Sequence, residues 1–234
     1  MNYKILSLAV LFSLMSFTPI KTASPTLKVS TNSNGSFEAK AANLYDRLNS
    51  NHFELPQLKS FSQALKGFYQ LHDKGILQKD VLTIIDFSLS SNTKRLWIID
   101  MASNTILMNT YVAHGKNTGE EFANSFSNID ASNKSSLGFY ATGEIYNGKH
   151  GMSLKLDGLE KGVNDKARQR GIVIHAADYV STTFIRDHQR LGRSQGCPAI
   201  PAELTNEIIQ LIKNRSCLFI YHPSRSNVNE NFSA

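Results

Sequence analysis

The chain has 234 residues, 41% hydrophobic and 19% charged, which supplies one buried core and argues against global disorder. Lys and Arg exceed Asp and Glu by 25 − 19 = 6, and the basic residues are scattered, so nucleic acid is not an expected partner. Two cysteines exclude a disulfide-rich scaffold and a four-cysteine zinc site.

The first element is an apolar run at residues 5–17 behind Lys4, followed by the small polar residues Thr22, Ala23 and Ser24. As a helix it spans about 20 Å, short of the roughly 30 Å hydrocarbon core. This pattern predicts a secretory signal peptide over residues 1–24, export to the periplasm or cell envelope, and no stable membrane span in the mature chain. Removing it takes Lys4 and Lys21, leaving a net charge of about +4. An exported location permits a Cys197–Cys217 disulfide, but the surroundings of the two residues favour separate roles.

Residues 25–80 read as a polar leader and a helical pair. Leu44, Tyr45 and Leu48 share one helical face, and Leu58, Phe61, Leu65, Phe68 and Leu71 another, with Pro56 between them and Gly75 as the stop. Strand patterns begin at Val81: VLTIIDFS, then a hairpin of KRLWIIDM and TILMNTYVAHG, then LGFYATG, SLKLDG, GIVIHA and finally SCLFIYH. Helices are predicted around residues 183–189 and 202–213. The expectation is a β-rich α+β fold, a sandwich or partly open barrel, over residues 81–222, with a frayed polar tail at 223–234.

The chemistry-bearing residues gather near the end of this region. His175 closes an apolar strand, a rigid mount for a general base. Gly192-Arg193-Ser194-Gln195-Gly196-Cys197-Pro198 then carries a cysteine in a glycine-flanked loop. Pro201 marks a helix start, which predicts Cys197 just ahead of a helix N-terminus, where the dipole favours a thiolate. The backbone N–H groups of Gly196 and Cys197 are candidates for an oxyanion hole. Cys217, inside SCLFIYH, reads instead as a small buried hydrophobe. Tyr140, Tyr146 and Tyr179 read as packing residues, and Asp157-Gly158-Leu159-Glu160 as a turn with a solvated carboxylate first and as a wall of the site second.

The strand histidine, the Ser194-Gln195-Gly196-Cys197 loop and Ser136-Leu137-Gly138-Phe139 together resemble the catalytic domain of murein L,D-transpeptidases. The resemblance is closest to the divergent branch of that superfamily, through VAHGKNTGEEFANSFSN, SSLGFYATGEIYNGKHGMSLKLDGLEKGVND, IVIHAADYV and LGRSQGCPAIP. It implies an L,D-transpeptidase-like fold, Cys197 as nucleophile and His175 as base, with the carbonyl of Ala176 orienting the imidazole. It also implies a thioester acyl-enzyme formed from peptidoglycan stem peptides, with no metal or organic cofactor. Gln195 stands where most members carry histidine, and Ala199 where many carry Asn or Arg. Glutamine can hydrogen-bond but cannot exchange a proton as an acid or base.

Around this centre, Arg193, Ser194 and Gln195 are candidate substrate contacts, Arg193 for a peptide carboxylate. His114 and His150, each in a His-Gly pair, are candidates to line the cleft or to sit on surface turns. Three other functions compete: an L,D-carboxypeptidase with water as acceptor, a non-catalytic wall-binding protein, and a zinc site on His114, His150, His175 and Cys197. The histidines lack the paired short spacing that zinc sites use.

Overall fold

The computed structural model describes residues 36–149, 151–225 and 232. The expected signal segment and nearly all of the leader lie outside the described residues. None of the described helices is long and apolar enough to cross a membrane.

Two helices open the described chain, α1 (Phe37–Asp46) and α2 (Leu58–Asp73). Ser36 caps α1 by accepting from Ala39 N–H. After α2, Gly75 takes φ +67° and donates to His72 O at 2.9 Å, while Ile76 N–H reaches Leu71 O at 3.0 Å. That left-handed stop suits glycine, and it closes the helix as the sequence predicts. Phe61, Leu65, Phe68 and Leu71 are buried, each such side chain stabilising by roughly 1.5–3 kcal/mol. Leu58 departs from the expected apolar face. It opens the helix and is 44% exposed.

The strands are β1 (Val81–Asp86), β2 (Leu96–Asp100), β3 (Thr105–Thr110), β4 (Gly138–Gly148), β5 (Gly151–Gly158), β6 (Val173–Ala176), β7 (Ala199–Ile200) and β8 (Cys217–Tyr221). They form one mixed sheet in the order β3-β2-β1-β8-β4-β5-β6-β7, curled into a half-barrel. This settles the expected architecture as the partly open barrel. The β1–β8 and β6–β7 pairs are parallel and the others antiparallel.

Strand alternation builds a core on each face. Leu82, Ile84, Phe139, Cys217 and Phe219 pack with α1 and α2 on one side. Ile85, Tyr140, Leu218 and Ile220 pack on the other with Ile208, Ile209 and Ile212 of α4 (Thr205–Ile212). The helical pair therefore shares the main core. Cys217 is fully buried and Cys197 half-buried, and both are free thiols.

Two expectations near the C-terminus need correction. Arg225 and Phe232 are packed rather than frayed: the Arg225 side chain is 7% exposed, its guanidinium pairs with Glu160 and lies over Phe139 and Phe219, and the buried Phe232 meets Phe139 edge-on. Residues 226–231, 233 and 234 lie outside the described residues. Glu160 is accordingly no solvated turn residue. It is 1% exposed, accepts Phe139 N–H at 2.6 Å, and burial holds its carboxyl above the usual range despite the attraction of Arg225.

Candidate active site

β6 places the histidine. It is paired on one side with β5, Ser153 opposite His175, and on the other with β7, Ala199 opposite His175. Within that ladder His175 is almost fully buried, and its Nδ1 lies 2.8 Å from Ala176 O. A carbonyl only accepts, so Nδ1 carries the proton and Nε2 is the basic nitrogen of the neutral ring.

The loop before β7 places the sulfur. Ser194 N–H donates to His114 O at 3.0 Å and Lys116 N–H donates to Ser194 O at 2.8 Å. The Ser194 hydroxyl donates to Cys197 O at 2.6 Å and accepts Gly196 N–H at 3.0 Å. Gly196 adopts φ +125°, in the region that favours glycine, and its carbonyl accepts the Ser135 hydroxyl at 3.0 Å. The Cys197 Sγ receives Val173 N–H at 3.5 Å and donates to Gly171 O at 3.7 Å.

Cys197 and His175 line one cleft of about 450 Å³, together with Tyr146, Lys149, Arg170 and Tyr179 among others. Burial raises the Cys197 thiol above its ordinary value, opposed by Val173 N–H and by the charges of Arg170 and Lys149. Tyr179 is pushed up to about 12 by burial and by the neighbouring Cys197. The resting sulfur is therefore a neutral thiol hydrogen-bonded to Gly171 O, and it needs a base to become a nucleophile.

Several expectations change. Cys197 is not at a helix N-terminus: β7 and a 3-10 turn (Ala202–Leu204) separate it from α4, so the expected first-turn position ahead of that helix is not met. The Gly196 N–H is occupied by Ser194, which leaves Cys197 N–H as the remaining member of the expected oxyanion pair. Ser194 lines the cleft, while its hydroxyl is used twice inside the loop, which it shapes. Arg193 lines the cleft, but its Nη1 is spent on Glu120 (2.5 Å), Lys116 O and Gly119 O. Gln195 is exposed at the cleft, placed to contact a ligand.

His114 leaves the site altogether. It is 1% exposed, with Nδ1 accepting from Arg95 Nη2 at 2.8 Å and Nε2 donating to Gly119 O at 3.2 Å. Burial and the Arg95 charge lower it to about 3, so it stays neutral. Both ring nitrogens are used, which removes it from any zinc set. Among the described residues no three His, Cys, Asp or Glu side chains form a metal-holding group. His150 lies outside the described residues. Tyr146 and Tyr179 line the cleft, and Tyr140 packs, donating to Ser136 O at 2.9 Å.

A family model of the L,D-transpeptidase catalytic domain matches residues 54–221, well over half of the chain. The chain belongs to this family.

No curated protein matches the chain. Among solved structures, this L,D-transpeptidase-family chain is similar to an L,D-transpeptidase from Mycobacterium smegmatis at 10% identity and TM-score 0.38, covering 61% of this chain and 59% of that one. The helical cell shape determining protein Pgp2 from Campylobacter jejuni shares 14% identity at TM-score 0.39, over 70% and 57% of the two chains. An L,D-transpeptidase from Stackebrandtia nassauensis shares 10% at 0.38, over 86% and 98%. The chain thus spans under two thirds of the first two of these. The family assignment rests on the family model.

Sequence reasoning missed Ser135, whose hydroxyl holds Gly196 O, and Arg170, which lines the cleft, and read Tyr179 as packing. The Ser135-Ser136-Leu137-Gly138 block was the available signal for Ser135, since it already belonged to the resemblance. Arg170 stands beside the strand segment Gly171–Ala176 and carried no signal of its own.

Proposed function

We propose that this chain is an exported cysteine L,D-transpeptidase acting on peptidoglycan stem peptides, working in the periplasm or cell envelope. The observation that carries the reading is the His175 imidazole, fixed by Ala176 O with Nε2 as its basic nitrogen, in the same cleft as the Cys197 sulfur. His175 takes the thiol proton as Sγ attacks the carbonyl of the third stem residue. The Cys197 N–H supports the oxyanion of the tetrahedral intermediate. The intermediate expels the amine of the terminal D-residue, which receives the proton from His175, and a thioester remains. An acceptor side-chain amine, deprotonated by His175, then displaces the sulfur and forms the new amide. Lys149 and Arg170 give the cleft wall a positive bias suited to an acidic peptide, with Asp130 as the opposing charge.

The test is intact mass after incubation with a carbapenem, run beside product analysis with a tetrapeptide stem and an amine acceptor. A covalent adduct absent from Cys197→Ala, together with cross-linked product, is the expected result. Hydrolysed product alone would make the chain a carboxypeptidase. Neither adduct nor turnover would overturn the enzymatic reading in favour of a wall-binding protein.

A further inference from the structure

Arg170 precedes β6 and faces the cleft beside Cys197. Its guanidinium donates to four oxygens: Nη1 to Ser127 O and Ser136 Oγ, both at 2.9 Å, and Nη2 to Lys134 O at 2.7 Å and Ser132 Oγ at 3.3 Å. All four acceptors are neutral. Among the described residues no carboxylate pairs with it, whereas Arg193 is paired with Glu120, and Arg168 with Asp157 and Glu144. Its Nε is buried with no hydrogen-bond partner among the described residues.

The gripped segment is the one on which the nucleophile loop rests. Between Lys134 and Ser136, the Ser135 hydroxyl donates to Gly196 O and accepts Gly115 N–H, both at 3.0 Å. A Cβ on Gly196 would lie 2.9 Å from Lys134 O, the carbonyl that Arg170 holds. On its other side Arg170 is followed by Gly171, whose carbonyl accepts the Cys197 thiol.

We propose that Arg170 is a positioning residue of the cysteine site, fixing the nucleophile loop through the 132–136 segment and lending the sulfur a positive charge that no acid cancels. This deepens the transpeptidase reading and rests on Cys197 as its nucleophile. The titratable and charged groups around the sulfur are His175 and Tyr179 on the β6 side, Tyr146 from β4, Lys149 from the β4–β5 turn, Asp130 and Arg193 from the loops, and Arg170 itself. Of the cations, Arg170 is the first to offset the burial that raises the thiol, ahead of Lys149.

The experiment is the pH profile of Cys197 alkylation by iodoacetamide, a neutral probe, in the folded chain, with stem-peptide kinetics alongside. Arg170→Gln is expected to move the midpoint upward and to slow alkylation at pH 7 by about threefold or more. Arg170→Lys keeps the charge but loses the fork, so its midpoint stays near wild type while kcat falls more than KM changes. The double variant Ser132→Ala/Ser136→Ala removes two of the four anchors and should shift the midpoint upward by less. An unchanged midpoint in folded Arg170→Gln overturns the proposal. Should that variant not fold, an unchanged midpoint in the double serine variant does so. A shift in Arg170→Lys as large as in Arg170→Gln also overturns it, because the charge would then have no part. Absence of turnover by the wild-type chain overturns the acyl-transfer reading alone, since alkylation needs no substrate recognition.

Discussion

Replacing Gly196 by alanine tests whether the nucleophile loop is as tightly determined as its hydrogen bonds indicate. Two costs combine. At φ +125° an alanine carries the strain of a sparsely populated backbone region, roughly 1–3 kcal/mol. The new methyl also meets Lys134 O at 2.9 Å and Ile172 Cδ1 at 3.2 Å. The nearer atom is backbone, so the methyl cannot be relieved by a rotamer change, and overpacking of this kind costs roughly 1–3 kcal/mol more. A total of about 4 kcal/mol, at about 2–4 °C per kcal/mol for a chain of this size, lowers Tm by about 8–16 °C. If the loop yields instead of the fold, the strain appears as a displaced sulfur, and iodoacetamide reactivity and turnover fall while Tm holds. Thermal unfolding and the alkylation rate of Cys197, followed by intact mass, read the two outcomes together. A Gly196→Ala chain with both values at wild-type level would refute the argument, because neither the strain nor the clash would then be real.

Two further outcomes follow from groups away from the sulfur. Arg225→Met leaves the Glu160 carboxyl buried without its cation and should lower unfolding free energy in urea by about 3–5 kcal/mol. Adding Glu160→Met should recover only part of that loss, because Phe139 N–H then lacks its acceptor; single and wild-type chains unfolding alike would contradict the pairing. His114, held near 3 when folded and near 6.5 when unfolded, binds fewer protons in the native state. Its contribution is therefore complete above pH 6.5 and is lost as pH falls toward the folded value, by about 2 kcal/mol at pH 5. Denaturant titrations at pH 7.5 and pH 5 should show that loss in wild type and a flatter response in His114→Asn.

The features legible in the sequence are those written in local periodicity. Alternation in VLTIID and CLFIY feeds a core on each face of the sheet, and the 3.6-residue pattern of Phe61, Leu65 and Phe68 marks the buried side of α2. The strand carrying His175 is legible in the same way, and the glycine-flanked Cys197 in the local composition of its loop. What escaped depends on distant partners. β7 has only two residues and exists because Ala113 and β6 flank it, so the chain after Pro198 read as a helix approach. His114 resembles an exposed His-Gly turn until Arg95, 19 residues earlier, is seen to reach it. Arg193 looks unengaged until Glu120, 73 residues away, is placed beside it. Arg170 and Ser135 act across 34 to 61 residues of sequence, a range over which no local pattern carries information.

The two-residue ladder between β6 and β7 sets His175 opposite Ala199, two positions past the sulfur-bearing residue. The placement of the imidazole relative to the sulfur-bearing loop is thereby tied to a main-chain register. A one-residue slip of that register would turn the imidazole to the opposite face of the sheet, away from the cleft that holds the sulfur.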